Sequence, residues 1–142
     1  MYLKEISLSI IFIFTLNGLF GQSKTGDQID LELKNCLESE KNYTTSAMTQ
    51  CVIDATKNWD ERLNETYQTL LKKLSSEQKK ILVNAQKSWI AFRDNELAFS
   101  NKLYHDMQGT MWIPIHAETR LNLTRQRTLE IESYLDNIAI EN

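Results

Sequence analysis

The chain has few of the residues that interrupt a helix. It holds one proline, Pro114, and four glycines, and Gly18 and Gly21 lie in or beside an N-terminal apolar run. The strict alternation of a half-buried strand is almost absent, so the chain reads as mostly helix. Histidine is as scarce. His105 and His116 are the only two, and neither has a second ligand at helical or zinc-finger spacing, so no metal and no cofactor is expected. Basic tracts are missing too. The net charge is −3, which makes nucleic acid a poor partner. No catalytic constellation is present. Glu38/Glu40 and Asp60/Glu61 are close along the chain, but adjacent helix positions diverge, and solvated faces explain them. The expectation is a protein that is not an enzyme.

An apolar stretch of the roughly 20 residues needed to span a bilayer is also lacking. What the N-terminus does carry is Lys4, an apolar run from Ile6 to Leu16, and a break at Asn17-Gly18-Leu19-Phe20-Gly21 before polar sequence. This is the layout of a secretory signal peptide, residues 1–21, with cleavage expected after Gly21. No cysteine follows the run, so no lipid anchor is expected. Residues 22–142 then form one domain, soluble and periplasmic or secreted. Losing Lys4 and Glu5 with the leader leaves the charge balance unchanged. Both cysteines, Cys36 and Cys51, lie in the exported part. An even count in an oxidising compartment reads as a disulfide, and the spacing does not suit a redox or metal centre.

Hydrophobic periodicity divides the domain into about four helices. Asp27 caps a first short helix ending near Ser39. After a polar turn, a second helix is expected from about Ser46 to Leu74, capped by Thr45 or Ser46. Its stripe is Met48, Val52, Ala55, Trp59, Leu63, Tyr67, Leu70 and Leu74. Ser75 and Gln78 form a capping-box signature that opens a third helix. Its expected stripe is Ile81 or Leu82, Ala85, Trp89, Phe92, Phe99 and Leu103. So short a turn between two long helices predicts an antiparallel hairpin, with Trp89 and Arg93 near Trp59, Leu63 and Tyr67. Pro114 suits the first turn of a last helix. Its seam is Ala117, Leu121, Thr124, Thr128, Ile131, Leu135 and Ile138. Arg127 sits at the edge of that seam and needs a carboxylate, for which Asp60 and Asp94 are candidates. The fold class is all-α: a small bundle built on a long antiparallel hairpin, with one disulfide. Sequons at Asn42, Asn64 and Asn122 are taken as chance.

Between the third and last helices, Tyr104 to Pro114 is the least regular part. His105, Gln108, Met111 and Trp112 make it a candidate partner-contact loop, since Trp is enriched at interface hot spots. The competing reading folds these residues over the bundle end, where Met and Trp fill irregular gaps.

Three pieces in order carry a resemblance: Asp60-x-x-Leu63-Asn64-x-x-Tyr67, then Gln86-Lys87-x-Trp89-Ile90-x-Phe92-Arg93-Asp94, then Leu123-Thr124-x-Gln126-Arg127. Together with the upstream cysteine pair, they resemble the LprI-like lysozyme inhibitors, small exported bacterial proteins, over roughly Cys36 to Leu135. The resemblance implies an all-helical, disulfide-stapled domain in the periplasm or on the cell surface. It also implies a protein partner, with a lysozyme-type muramidase as the target. The alternative is an envelope interaction or stress-accessory module with an endogenous partner. Members of the family commonly carry a second cysteine pair, just after the Arg-Asp pair and shortly before the Leu-Thr piece. Here those stretches read Asn95-Glu96-Leu97-Ala98 and Ala117-Glu118-Thr119-Arg120, so that staple is missing.

Overall fold

The structure, a computed structural model, describes residues 26–140. The leader expected at residues 1–21 lies outside them. Four helices account for most of the described chain: α1, Gln28–Glu38; α2, Thr45–Lys73; α3, Ser76–His105; and α4, Trp112–Ile140, with a single 3-10 turn at Glu40–Asn42. Local chemistry sets the boundaries. Asp27 caps α1, its Oδ1 accepting from the Ile29 amide at 3.0 Å. Ser75 and Gln78 form the reciprocal capping box of α3, at 3.3 and 2.9 Å. The cap of α2 is Thr44, ahead of both expected candidates, Thr45 and Ser46. Thr44 Oγ1 takes the Ala47 amide at 3.2 Å. Pro114 falls in the first turn of α4, where its missing N–H costs nothing.

Helix α2 lies closest to α4, and α1 and α3 flank that pair. Small residues explain the close approach. Ala55 on α2 and Thr124 and Thr128 on α4 are all buried. Thr128 Oγ1 donates to its own helix at Thr124 O (2.9 Å) and reaches the Trp59 carbonyl at 3.2 Å. The polar centre of the α4 seam is thus hydrogen-bonded rather than solvated. The core divides in two. Val52, Ala55, Trp59 and Leu121 pack with Ile29, Leu33 and Ala117. Leu63, Leu70, Leu82 and Ile131 pack with Tyr67, Leu71, Leu74, Trp89, Leu135 and Ile138. Leu63, Tyr67 and Leu70 of α2 share this second cluster with Leu82 and Trp89 of α3, so α3 turns back along α2 after the two-residue link at 74–75.

Helix α1 is held by one covalent and two ionic ties. The Cys36–Cys51 disulfide joins it to the start of α2. Asn42 closes the same corner, its Nδ2 donating to the Cys36 carbonyl at 2.8 Å. Arg62 on α2 pairs with both Asp27 and Glu132, and Arg125 on α4 pairs with Asp30 at 2.6 Å. Hydrogen bonds donated to Glu132 and Asp27 raise the Arg62 pKa despite partial burial, and those donated to Asp30 do the same for Arg125. Both guanidinium groups lie over the Trp59 ring, at 5.0 and 5.4 Å from its centroid.

Two expectations fail. Of the stripe expected on α3, Leu82 is buried and Trp89 is partly buried, but Ile81, Phe92, Phe99 and Leu103 are exposed. The bundle instead uses a face rotated toward Leu82, Gln86, Trp89, Arg93, Leu97 and Ser100. Periodicity counts apolar residues and cannot see that Gln86 and Ser100 find partners on α4. Arg127 also finds different acceptors. It is buried, donates to Gln86 Oε1 at 2.9 Å and pairs with Glu130 at 2.7 Å, one helical turn away on α4. Asp60 and Asp94 are not its partners.

Candidate functional site

At the turn end, the second core cluster closes α2, α3 and α4 together. Toward the other end α3 leaves α2, and a cleft of 460 Å³ opens between them with α4 as its floor. Three residues of the sequence motif, each from a different helix, converge on it: Asp60 from α2, Arg93 from α3 and Thr124 from α4. Lys57, Leu97, His116, Ala117 and Arg120 also line the cleft. Its volume falls within the range of small-ligand pockets.

Cations outnumber acids around the opening. Arg93 lies 5.3 Å over the Trp89 ring and holds the adjacent Asp94 at 2.8 Å. Lys57 reaches Glu61 at 3.9 Å with both side chains largely exposed. Arg120 makes no ion pair among the described residues. Asp60, also exposed, lies near the Asn64 amide of its own helix, at 3.4 Å. Sequence reasoning missed Lys57, His116 and Arg120, since nothing in a one-dimensional pattern brings α2 and α4 to one opening.

Most of the remaining motif residues belong to the packing, while Asn64 and Asp94 are exposed. Leu63 and Tyr67 are in the second core cluster. Asn64 donates to the Asp60 carbonyl at 2.9 Å, and Gln86 and Arg127 bond each other between α3 and α4.

Beyond the cleft, residues 106–111 join α3 to α4 and fold over the bundle end. Gly109 turns the chain at φ 104°, a conformation that favours glycine. Thr110 meets Thr45 at 3.4 Å, touching the loop to the start of α2. Trp112 is half-buried. It stacks on Tyr104 with ring centroids 5.7 Å apart, and its Nε1 donates to the Gln108 carbonyl at 3.0 Å. Of the four expected contact residues, then, Trp112 is engaged in the corner, while His105, Gln108 and Met111 are exposed. Met107 and Ile113 are exposed beside them.

His116 links the loop to the cleft, because it lines both the cleft and a hollow of 310 Å³ under the loop. Ile53 likewise lines the cleft and a third hollow shared with Thr110 and Ile113. Ser100, buried, donates to the Leu97 carbonyl at 3.2 Å and lies 3.0 Å from His116 Nδ1. The stretches 95–98 and 117–120 come together here as well. Leu97, Ala117 and Arg120 all line the cleft. The Ser100–His116 hydrogen bond and the Tyr104–Trp112 stack join α3 to α4. Among the described residues, no group of His, Cys, Asp or Glu is arranged to hold a metal ion, and no helix is long and apolar enough to cross a membrane.

Residues 29–131 match the family described as Lysozyme inhibitor LprI. Among solved structures, an uncharacterized protein from Burkholderia thailandensis is similar, with 28% identity and a TM-score of 0.74. The likeness covers 80% of this chain and 56% of that one, so the chain spans little more than half the length of this relative. No curated protein matches the chain.

Proposed function

Because the chain belongs to the LprI lysozyme-inhibitor family, we propose that it acts by binding a lysozyme-type muramidase through the loop end of its bundle. The observation that carries this reading is the continuity of that end. Three hollows adjoin through Ile53, Ile113 and His116, and Met107, Met111, Ile53 and Ile113 stand exposed around them. Exposed apolar anchors beside a cationic opening have the make-up of a protein-binding surface. A muramidase works with two carboxylates in a cleft, and Lys57, Arg93 and Arg120 offer charge of the opposite sign. Among the described residues, that end holds a serine–histidine pair with the atoms of a nucleophile and base, Ser100 and His116. There the serine is buried, and its hydroxyl lies within reach of the Leu97 carbonyl as well as of the imidazole, which favours a packing role over that of a nucleophile. Export to the periplasm or the cell surface is part of this proposal, and the disulfide supports it.

The test is a cell-wall lysis assay. Purified protein mixed with lysozyme should slow clearing of a bacterial suspension as its concentration rises. Ile113→Asp and Arg120→Glu should each weaken the effect while leaving the melting temperature near that of the parent. An unchanged lysis rate at micromolar excess would sink the idea for that lysozyme.

A second reading, a module for an endogenous envelope partner, has its own observation. Leu63, Gln86, Trp89, Thr124 and Arg127 pack between helices, so much of the motif serves the scaffold and leaves the loop free to suit other partners. Capture from an envelope extract separates the two, since this reading requires a partner that is not a muramidase.

A further inference from the structure

Helix α3 carries a second apolar face that the bundle does not use. Ile81, Phe92, Phe99 and Leu103 are 62%, 51%, 63% and 40% exposed, and Ala85, Ser88 and Glu96 are exposed between them. Successive helical residues turn by about 100°, so these seven positions share an arc of about 80°. None of them belongs to either core cluster. The stripe is about 33 Å long, since a helix rises about 1.5 Å per residue.

We propose that this stripe pairs with a second copy of the chain, the two α3 helices lying antiparallel across a two-fold axis at Phe92. The argument is the order of the stripe itself. Counting outward from Phe92, Ser88 and Glu96 are equally distant, then Ala85 and Phe99, then Ile81 and Leu103. A two-fold contact requires a patch complementary to itself, and this order provides it. Ile81 of one copy meets Leu103 of the other. The Phe99 ring meets the small Ala85, as interdigitating layers need. The Ser88 hydroxyl meets the Glu96 carboxylate and can donate to it. The parallel alternative stacks Glu96 on Glu96 and Phe99 on Phe99, with like charges opposed. The spacing of four, three and four residues occurs twice, an eleven-residue period that keeps the stripe on one side of a nearly straight helix.

The area also suits a dimer. With an aromatic side chain presenting about 150–250 Å², the four large residues expose roughly 400 Å² per copy. Interfaces are a little over half apolar, so the whole contact comes to about 1,400 Å² over both copies, a standard specific interface. Arg93 and Leu97 stand about 100° and 140° round the helix from Phe92, on the face that lines the cleft. Antiparallel pairing sets the two loop ends at opposite ends of the dimer.

Sedimentation of the purified protein from micromolar to millimolar concentration should show reversible dimers. Phe92→Glu should leave a monomer with unchanged helicity and melting temperature. Both native cysteines are in the disulfide, so Phe92→Cys supplies a lone thiol that meets its own copy at the axis. Mild oxidation should convert it to a covalent dimer at least tenfold faster than Ile90→Cys, which lies on the opposite side of α3. A monomer at every concentration, a dimer that survives Phe92→Glu, or equal cross-linking of the two cysteine variants would each overturn the proposal.

Discussion

Trp59 and Trp89 are each flanked by two guanidinium groups, yet they do different work. Around Trp59, Arg62 and Arg125 come from α2 and α4 and pair with acids far along the chain: Asp27, Asp30 and Glu132. Three helices are therefore clamped about one ring that is 0% exposed. Around Trp89, Arg93 and Arg127 lie 5.3 and 5.9 Å from the ring centroid. Their acids are local, with Asp94 adjacent to Arg93 and Glu130 one turn from Arg127. A charge paired with an acid on another helix resists separation of the helices. A charge paired on its own helix does not. The first tryptophan locks the α1–α2–α4 body, and the second stands where α3 begins to part from α2, next to the cleft.

Substitution should separate the two sites by stability. Trp59→Ala leaves a large cavity beneath two guanidinium groups and should cost about 3–5 kcal/mol, read from urea denaturation. Replacing both cysteines with serine should cost about 3 kcal/mol for so short a loop. Because the Arg62 and Arg125 clamps persist, the near-ultraviolet spectrum of Trp59 should survive in the folded fraction. A lost spectrum would mean the disulfide, not the arginines, seats α1. Trp89→Ala should cost less than Trp59→Ala, about 2 kcal/mol, since Trp89 is only partly buried. An equal cost in the two variants would erase the distinction between a locked and an open side. Smallest of all, Arg93→Ala should change stability by under about 1 kcal/mol, because its ion pair is local and half-solvated. Its effect belongs in partner binding, measured by loss of lysis inhibition.

Much of this architecture is readable in one dimension. Asp27, Ser75 with Gln78, and Pro114 mark helix starts through contacts no longer than one turn. The stripe on α2 and the seam on α4 predict their buried faces, because both helices bury apolar residues at nearly every turn. The cysteine pair needs only its count and compartment. These features depend on neighbours close in sequence or on a period that repeats many times.

The inward face of α3, the acceptor of Arg127 and the cleft depended on tertiary structure. Helix α3 has two candidate faces, and the one with more exposed-type polar residues turns inward because Gln86 meets Arg127 and Ser100 meets His116. Those partnerships span long stretches of chain, so no local pattern encodes them. The cleft exists because small residues let α2 settle on α4 while α3 packs farther off. The amino-acid order determined which helices form and where they start. Packing decided which surfaces they leave open, because side chains compete for partners that only three dimensions bring together.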